Sequence, residues 1–119
     1  MTYKEVYDSI KDITISTGVT IPVAYYQFPA DDPQNPPPPP PFLVYYYDGS
    51  DDFSADNKNY QKIRPLTIEL YTDNKNFTIE NAVESKLIAN GFVFSRTEDY
   101  IDSEKLYMIT YETEVLING

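Results

Sequence analysis

The sequence predicts an α+β fold: an antiparallel sheet of about five strands with two helices packed on one face. Three observations predict it. The 119 residues are about the length of one ordinary domain, residues 1–119, and 41% of them are apolar, enough for a core. Two segments, 2–13 and 78–90, space their apolar residues as a helix does. Elsewhere the alternation has a period of two, clearest where Leu66, Ile68 and Leu70 interleave with Thr67, Glu69 and Tyr71. The element order is α-β-β-β-α-β-β, which fits helices gathered on one side of an antiparallel sheet. No internal repeat is present.

Each element has a local reason. Thr2 followed by Glu5 fits a capping box, each side chain meeting a free backbone N–H at the first helix's start. Tyr3, Val6, Tyr7, Ile10 and Ile13 then form one stripe, with Lys4, Glu5, Asp8, Lys11 and Asp12 opposite. Residues 14–20 are β-branched around Gly18 and read as a connection. Residues 23–28 form a first strand. Residues 29–41 include six consecutive prolines, which fix φ and donate no backbone hydrogen bond, so neither helix nor central strand fits there. Six residues of polyproline II span about 19 Å. No Lys or Arg flanks them as in SH3-type ligands, so the run reads as a stiff connector between strands. Residues 42–48 and 63–72 form strands two and three, joined by a polar loop over 49–61 into a long hairpin. Thr78 is the expected N-cap of the second helix and Gly91 its C′ residue. Residues 92–100 and 105–117 form the last two strands, turning at Asp102 and Ser103.

Composition excludes several function classes. With no Cys, disulfide scaffolds and thiolate chemistry are out. With no His, the commonest general base, zinc ligand and pH switch are missing. Nine basic against nineteen acidic residues give a net charge of −10. Gripping phosphate needs clustered Lys and Arg, so stable nucleic-acid binding is not expected. No apolar run reaches the length of a membrane span and no apolar h-region follows Met1, so a soluble chain without a secretory signal is expected.

Site motifs are sparse. The loop Asp48-Gly-Ser-Asp-Asp-Phe-Ser-Ala-Asp56 suggests calcium, but an EF-hand needs Gly at position 6 and Glu at position 12, and Phe53 and Asn59 stand there. A solvated acidic loop is the plainer reading, and a weak divalent-cation site of another kind is the alternative. The four glycines, at 18, 49, 91 and 119, form no phosphate loop. Paired carboxylates for glycosidase chemistry arise by chance among nineteen acids. Asn76-Phe77-Thr78 matches a glycosylation sequon, which has no meaning without secretion. No catalytic residue, cofactor or metal is assigned. The outstanding feature is twelve Tyr and six Phe with no Trp. Tyr suits strands, and it also suits protein–protein contacts.

Several stretches carry a resemblance: Val23-Ala-Tyr-Tyr-Gln-Phe-Pro29, Pro-Pro-Phe-Leu-Val-Tyr-Tyr at 40–46, Ala55-Asp-Asn-Lys-Asn-Tyr60, Ile68-Glu-Leu-Tyr-Thr-Asp73 and Tyr100-Ile-Asp-Ser-Glu-Lys-Leu-Tyr107. Across most of its length the chain resembles minor tail or head–tail joining proteins of phages and prophages of low-GC Gram-positive bacteria. Its element order is similar to that of tail terminators of long-tailed phages. The proline run departs from the pattern in length. The resemblance implies a structural virion protein without an active site. It implies a ring, usually of six subunits, that caps the tail tube and meets the tail-tube and head-connector proteins. Its place would be the virion tail, after assembly in the host cytoplasm. A competing class is a small acidic inhibitor that mimics DNA.

Two expectations about contact surfaces follow. Tyr45, Tyr46, Tyr47 and Tyr71 are expected on the sheet face opposite the helices, as a subunit or partner surface. The loop over 49–61, with Asp51, Asp52, Phe53, Asp56 and Tyr60, is expected to be mobile in the free chain and to order on contact with a neighbour.

Overall fold

The computed structural model describes residues 1–15, 17–28, 34, 36–49 and 62–117. The element order is α1 (Tyr3–Ile10), β1 (Val23–Tyr25), β2 (Phe42–Tyr47), β3 (Lys62–Thr72), α2 (Phe77–Ala89), β4 (Ser95–Ile101) and β5 (Leu106–Ile117). The five strands form one sheet in the order β1-β2-β3-β5-β4. The predicted α+β class and element order hold.

Thr2 and Glu5 close the predicted capping box: Thr2 Oγ1 accepts from the Glu5 N–H at 3.1 Å, and the Thr2 N–H donates to Glu5 Oε1 at 2.9 Å. The helix stops at Ile10, three residues short of expectation. Lys11 is already extended and Asp12 enters the left-handed region at φ 58°. Ile13 still reaches the core. Residues 14–20 are more than a connection, because Thr14 and Thr20 form an antiparallel bridge around Gly18 at φ +86°.

β1 is short and pairs parallel to β2, Val23 with Leu43 through Tyr25 with Tyr45. The sheet is therefore mostly antiparallel, not wholly so. Tyr26, at φ 70°, ends the strand before its predicted limit. Parallel neighbours require a crossover. Here the chain between Tyr25 and Phe42 connects the two strands, and its described residues Tyr26, Phe28 and Pro37 lie against the side chains of Phe42 and Tyr46 or the cleft beside them. That is the sheet face opposite the helices.

β2, β3 and β5 form the centre. Leu43, Tyr45 and Tyr47 stand beside Leu70, Ile68 and Leu66, and those beside Ile109, Tyr111 and Thr113. This face meets Val6 and Ile10 of α1 and Ile79, Val83 and Leu87 of α2 in one cluster of buried residues. Each such aliphatic side chain contributes about 1.5–3 kcal/mol on full burial.

Asn76 caps α2 in place of the predicted Thr78: its Oδ1 accepts from the Ile79 N–H at 3.1 Å. Gly91 ends the helix at φ +84°, in the predicted role, with its N–H on the Ile88 carbonyl. Phe92 folds back into the core instead of starting β4.

Candidate functional site

The two sheet faces differ sharply, and the tyrosines divide between them. Because side chains alternate along a strand, Tyr45 and Tyr47 face the helices while Tyr46 faces away. The expectation that all four tyrosines share the open face is corrected for two of them. Their run is unbroken, so period two must split it. Tyr71, on β3 opposite Phe42, does lie on the open face with Tyr46.

Tyr45 and Tyr47 anchor a tyrosine bundle at the β1 edge. Tyr3 and Tyr7 come from α1 and Tyr25 from β1. Tyr3 meets Tyr47 edge-on with centroids 5.2 Å apart, and Tyr25 meets Tyr45 edge-on at 5.1 Å. Tyr25 also lies 5.9 Å from Tyr47, and Tyr7 lies 6.3 Å from Tyr45. Burial raises the hydroxyl pKa of Tyr45 and Tyr47, so both stay neutral. Tyr3, Tyr7 and Tyr25 remain 46%, 39% and 52% exposed. Arg64 Nε donates to the Tyr3 hydroxyl at 3.1 Å, and Arg64 helps line a hollow of about 470 Å³ between the rings. Large rings beside an Arg, half open to solvent, match the composition of protein contact surfaces. Tyr3, Tyr7, Tyr25 and Arg64 were not among the predicted contact residues. Tyr3 and Tyr7 carry a sequence signal, the helical stripe, but that stripe reads first as core.

The opposite sheet edge is β4, all but one of whose seven residues are exposed. Tyr100 stands edge-on to Tyr107 at 4.9 Å and is 47% exposed. Inside this edge, β4 is fastened to α2 by charge. Glu80 is a buried carboxylate, with Lys75 Nζ 2.8 Å from its Oε2 and Arg96 Nη2 on its Oε1. Glu98 binds both cations, and Arg96 Nε lies 3.3 Å from Glu84. Partial burial opposes the charge on Lys75 and Arg96, yet hydrogen bonds to Glu80 and, for Lys75, Glu98 leave both with raised pKa. The Lys75 hydrogen bond lowers that of Glu98. The Tyr111 hydroxyl donates to Glu84 at 2.8 Å. Two cations thus meet three carboxylates, so the cluster ties β4 to α2 and keeps one net negative charge.

The open face is acidic. Glu69, Asp99, Glu112 and Glu114 occupy its strand positions, and Thr67 donates to Asp48 at its rim. Arg64 and Arg96 both stand on the helix side. Burial and Glu69 push the Tyr46 hydroxyl pKa up to about 12.

Asp51, Asp52, Phe53, Asp56 and Tyr60 lie outside the described residues, as does nearly all of the calcium-like loop. Among the described residues, no group of three or more acids could hold a metal ion. Among them also, no helix is long and apolar enough to cross a membrane.

No protein-family model matches the chain, and no curated protein does. Among solved structures, a chain of "Virion of native gene transfer agent (GTA) particle" is similar over 71% of this chain and 76% of its own, with 13% sequence identity and a TM-score of 0.49.

Proposed function

We propose that this chain is a structural phage virion protein, a tail-terminator or head–tail joining subunit that caps the tail tube as a ring. The observation that carries the reading is the half-exposed tyrosine bundle at the β1 edge. A closed ring is built from heterologous contacts, so each subunit needs two different surfaces that face away from one another. The strand order places the tyrosine bundle at one lateral edge and β4, with Tyr100, at the other. Edge-to-edge contacts would leave the acidic sheet face free. A six-membered ring would then carry a charge of about −60 before counterions, six times −10. Such a conduit repels DNA and lets it pass.

The DNA-mimic reading draws on the same acids. It is weaker, because the acids are spread over the whole fold and not set in one line: Asp8 lies on α1, Glu80 on α2, Glu98 on β4 and Glu112 on β5. Native mass separates the two. The ring predicts a species near six times 13.7 kDa, alone or on tail tubes. A chain that stays monomeric in both settings and instead blocks a DNA-binding enzyme would refute the ring.

A further inference from the structure

The open sheet face holds a cleft of about 260 Å³, separate from the tyrosine edge. Its floor is the stacked pair Phe42 and Tyr71, with ring centroids 5.0 Å apart. One wall comes from the β1–β2 crossover: Phe28 stands edge-on to Phe42 at 5.5 Å, and Tyr26 lies beside it. Two carboxylates, Glu69 and Glu104, complete the lining, and no Lys or Arg is among the described residues that line it.

Glu69 is the informative group. It is half-buried, and its two oxygens accept from the Tyr46 hydroxyl at 3.2 Å and the Tyr71 hydroxyl at 2.9 Å. Both donors are neutral. The carboxylate is held in place, and among the described residues no cation pairs with it at the end of the aromatic cleft. Phenyl and phenol faces attract cations through their quadrupole, more strongly once water is displaced. Glu104, on the β4–β5 turn, is close enough to bear on the Tyr71 hydroxyl and adds a second negative charge. An apolar occupant would desolvate Glu69 without a counter-charge. An anion would meet Glu69 and Glu104 together.

We infer that this cleft receives the guanidinium or ammonium group of an Arg or Lys side chain, presented by a basic segment of a different protein chain. A second copy of this chain fits poorly, because it would bring nineteen acidic against nine basic residues, a net −10, to an acidic face. The inference uses neither the tyrosine edge nor ring formation, so it stands or falls apart from the proposed function.

The test is a titration of the full chain, followed by aromatic and backbone NMR, with blocked tripeptides Gly-Arg-Gly, Gly-Lys-Gly and Gly-Gln-Gly. The expected result is saturable shifts at Tyr26, Phe42 and Tyr71 with Arg, Lys or both. The Gln peptide should bind at least tenfold more weakly. Glu69→Gln should weaken cation binding at least tenfold, and Glu114→Gln, on the same face but outside the cleft, less than twofold. Glu104→Gln lies on an exposed turn and should weaken it at least threefold, which keeps the test decisive should Glu69→Gln unfold the protein. The inference is overturned if neither cationic peptide shifts these rings, if the Gln peptide binds equally well, or if Glu104→Gln and a folded Glu69→Gln leave the affinity unchanged.

Discussion

Replacing Tyr25 with Ala tests the tyrosine edge most directly. Tyr25 is 52% exposed and packs its inner half on Tyr45 and Tyr47. A fully enclosed aromatic side chain buries about 150–250 Å², so roughly 100 Å² of Tyr25 is left for a neighbouring subunit. At about 25 cal/mol per Å², that area is worth about 2.5 kcal/mol per contact, within the range of interface hot spots. In equilibrium terms this is about 60-fold per contact. A ring has as many contacts as subunits, so the assembly midpoint should rise by at least that factor. Dilution series read by native mass or light scattering give the midpoint. Far-UV circular dichroism checks that Tyr25→Ala is folded. Tyr25→Phe keeps the area and should stay within about threefold of wild type. A folded Tyr25→Ala protein whose midpoint also stays within threefold of wild type would remove the tyrosine edge as a subunit contact.

Other expectations follow from single features. Leu87→Ala empties a fully buried site beneath α2 and should lower unfolding free energy by about 2–5 kcal/mol in urea; a loss below about 1 kcal/mol would mean that α2 is not packed as described. Arg96→Met leaves buried Glu80 with Lys75 alone. Discounted for the 35% exposure of Arg96, the loss should be about 1–3 kcal/mol, and adding Glu80→Leu should recover part of it; an additive second loss would contradict the pairing. The Tyr46 hydroxyl is raised in the fold to about 12 from 10, so the native state holds its proton longer than the unfolded chain does. Its contribution is complete below pH 10 and lost as the pH rises toward 12. Phenolate absorbance should show tyrosines titrating late, and Tyr46→Phe should flatten this alkaline slope. Duplex DNA should not bind at physiological salt, and micromolar affinity in a gel shift would overturn both the conduit and the mimic readings.

The sequence was most legible where local chemistry and tertiary packing agree. Thr2 and Glu5 close their own capping box, Gly91 ends α2, and the alternation of Leu66, Ile68 and Leu70 gives the correct buried face of β3. It was least legible where the outcome depends on distant partners. Nothing near Asp12 says that the chain will leave the helix there while Ile13 still reaches the core. Asn76 and Thr78 are both capping residues in sequence, and the difference is only which one lies outside the first turn. The parallel pairing of β1 with β2 depends on where sixteen intervening residues travel, and local patterning is blind to that. The tyrosine surface was half readable. An apolar-plus-aromatic run such as Phe42 to Tyr47 has no polar phase to fix which face is which. Tyr25 and Arg64 become contact candidates only once β1 and β3 are placed beside β2 and α1.

The acidity of the open face has its own structural logic. A sheet face crowded with carboxylates would weaken the fold if like charges stood directly opposite one another. The register avoids this. Glu69 faces Thr110, Glu112 faces Thr67 and Ser95, Glu114 faces Pro65, and Asp99 faces Met108. Each acid has an uncharged neighbour across the ladder, so the face carries its charge without a direct repulsive pair. The two arginines on β3 and β4 stand on the other face: Arg64 bonds Tyr3 of α1, and Arg96 bonds Glu80 of α2. Helix packing therefore consumes positive charge on one side of the sheet and leaves the other side negative. The acids give the face opposite the helices a negative potential, while the half-exposed tyrosine bundle lies at the β1 edge. The tyrosine edge and the acidic face therefore lie along different axes of the chain. In the proposed ring, a neighbour docked at the β1 or β4 edge would leave the acids free, and a basic segment would approach the acids without disturbing the edge.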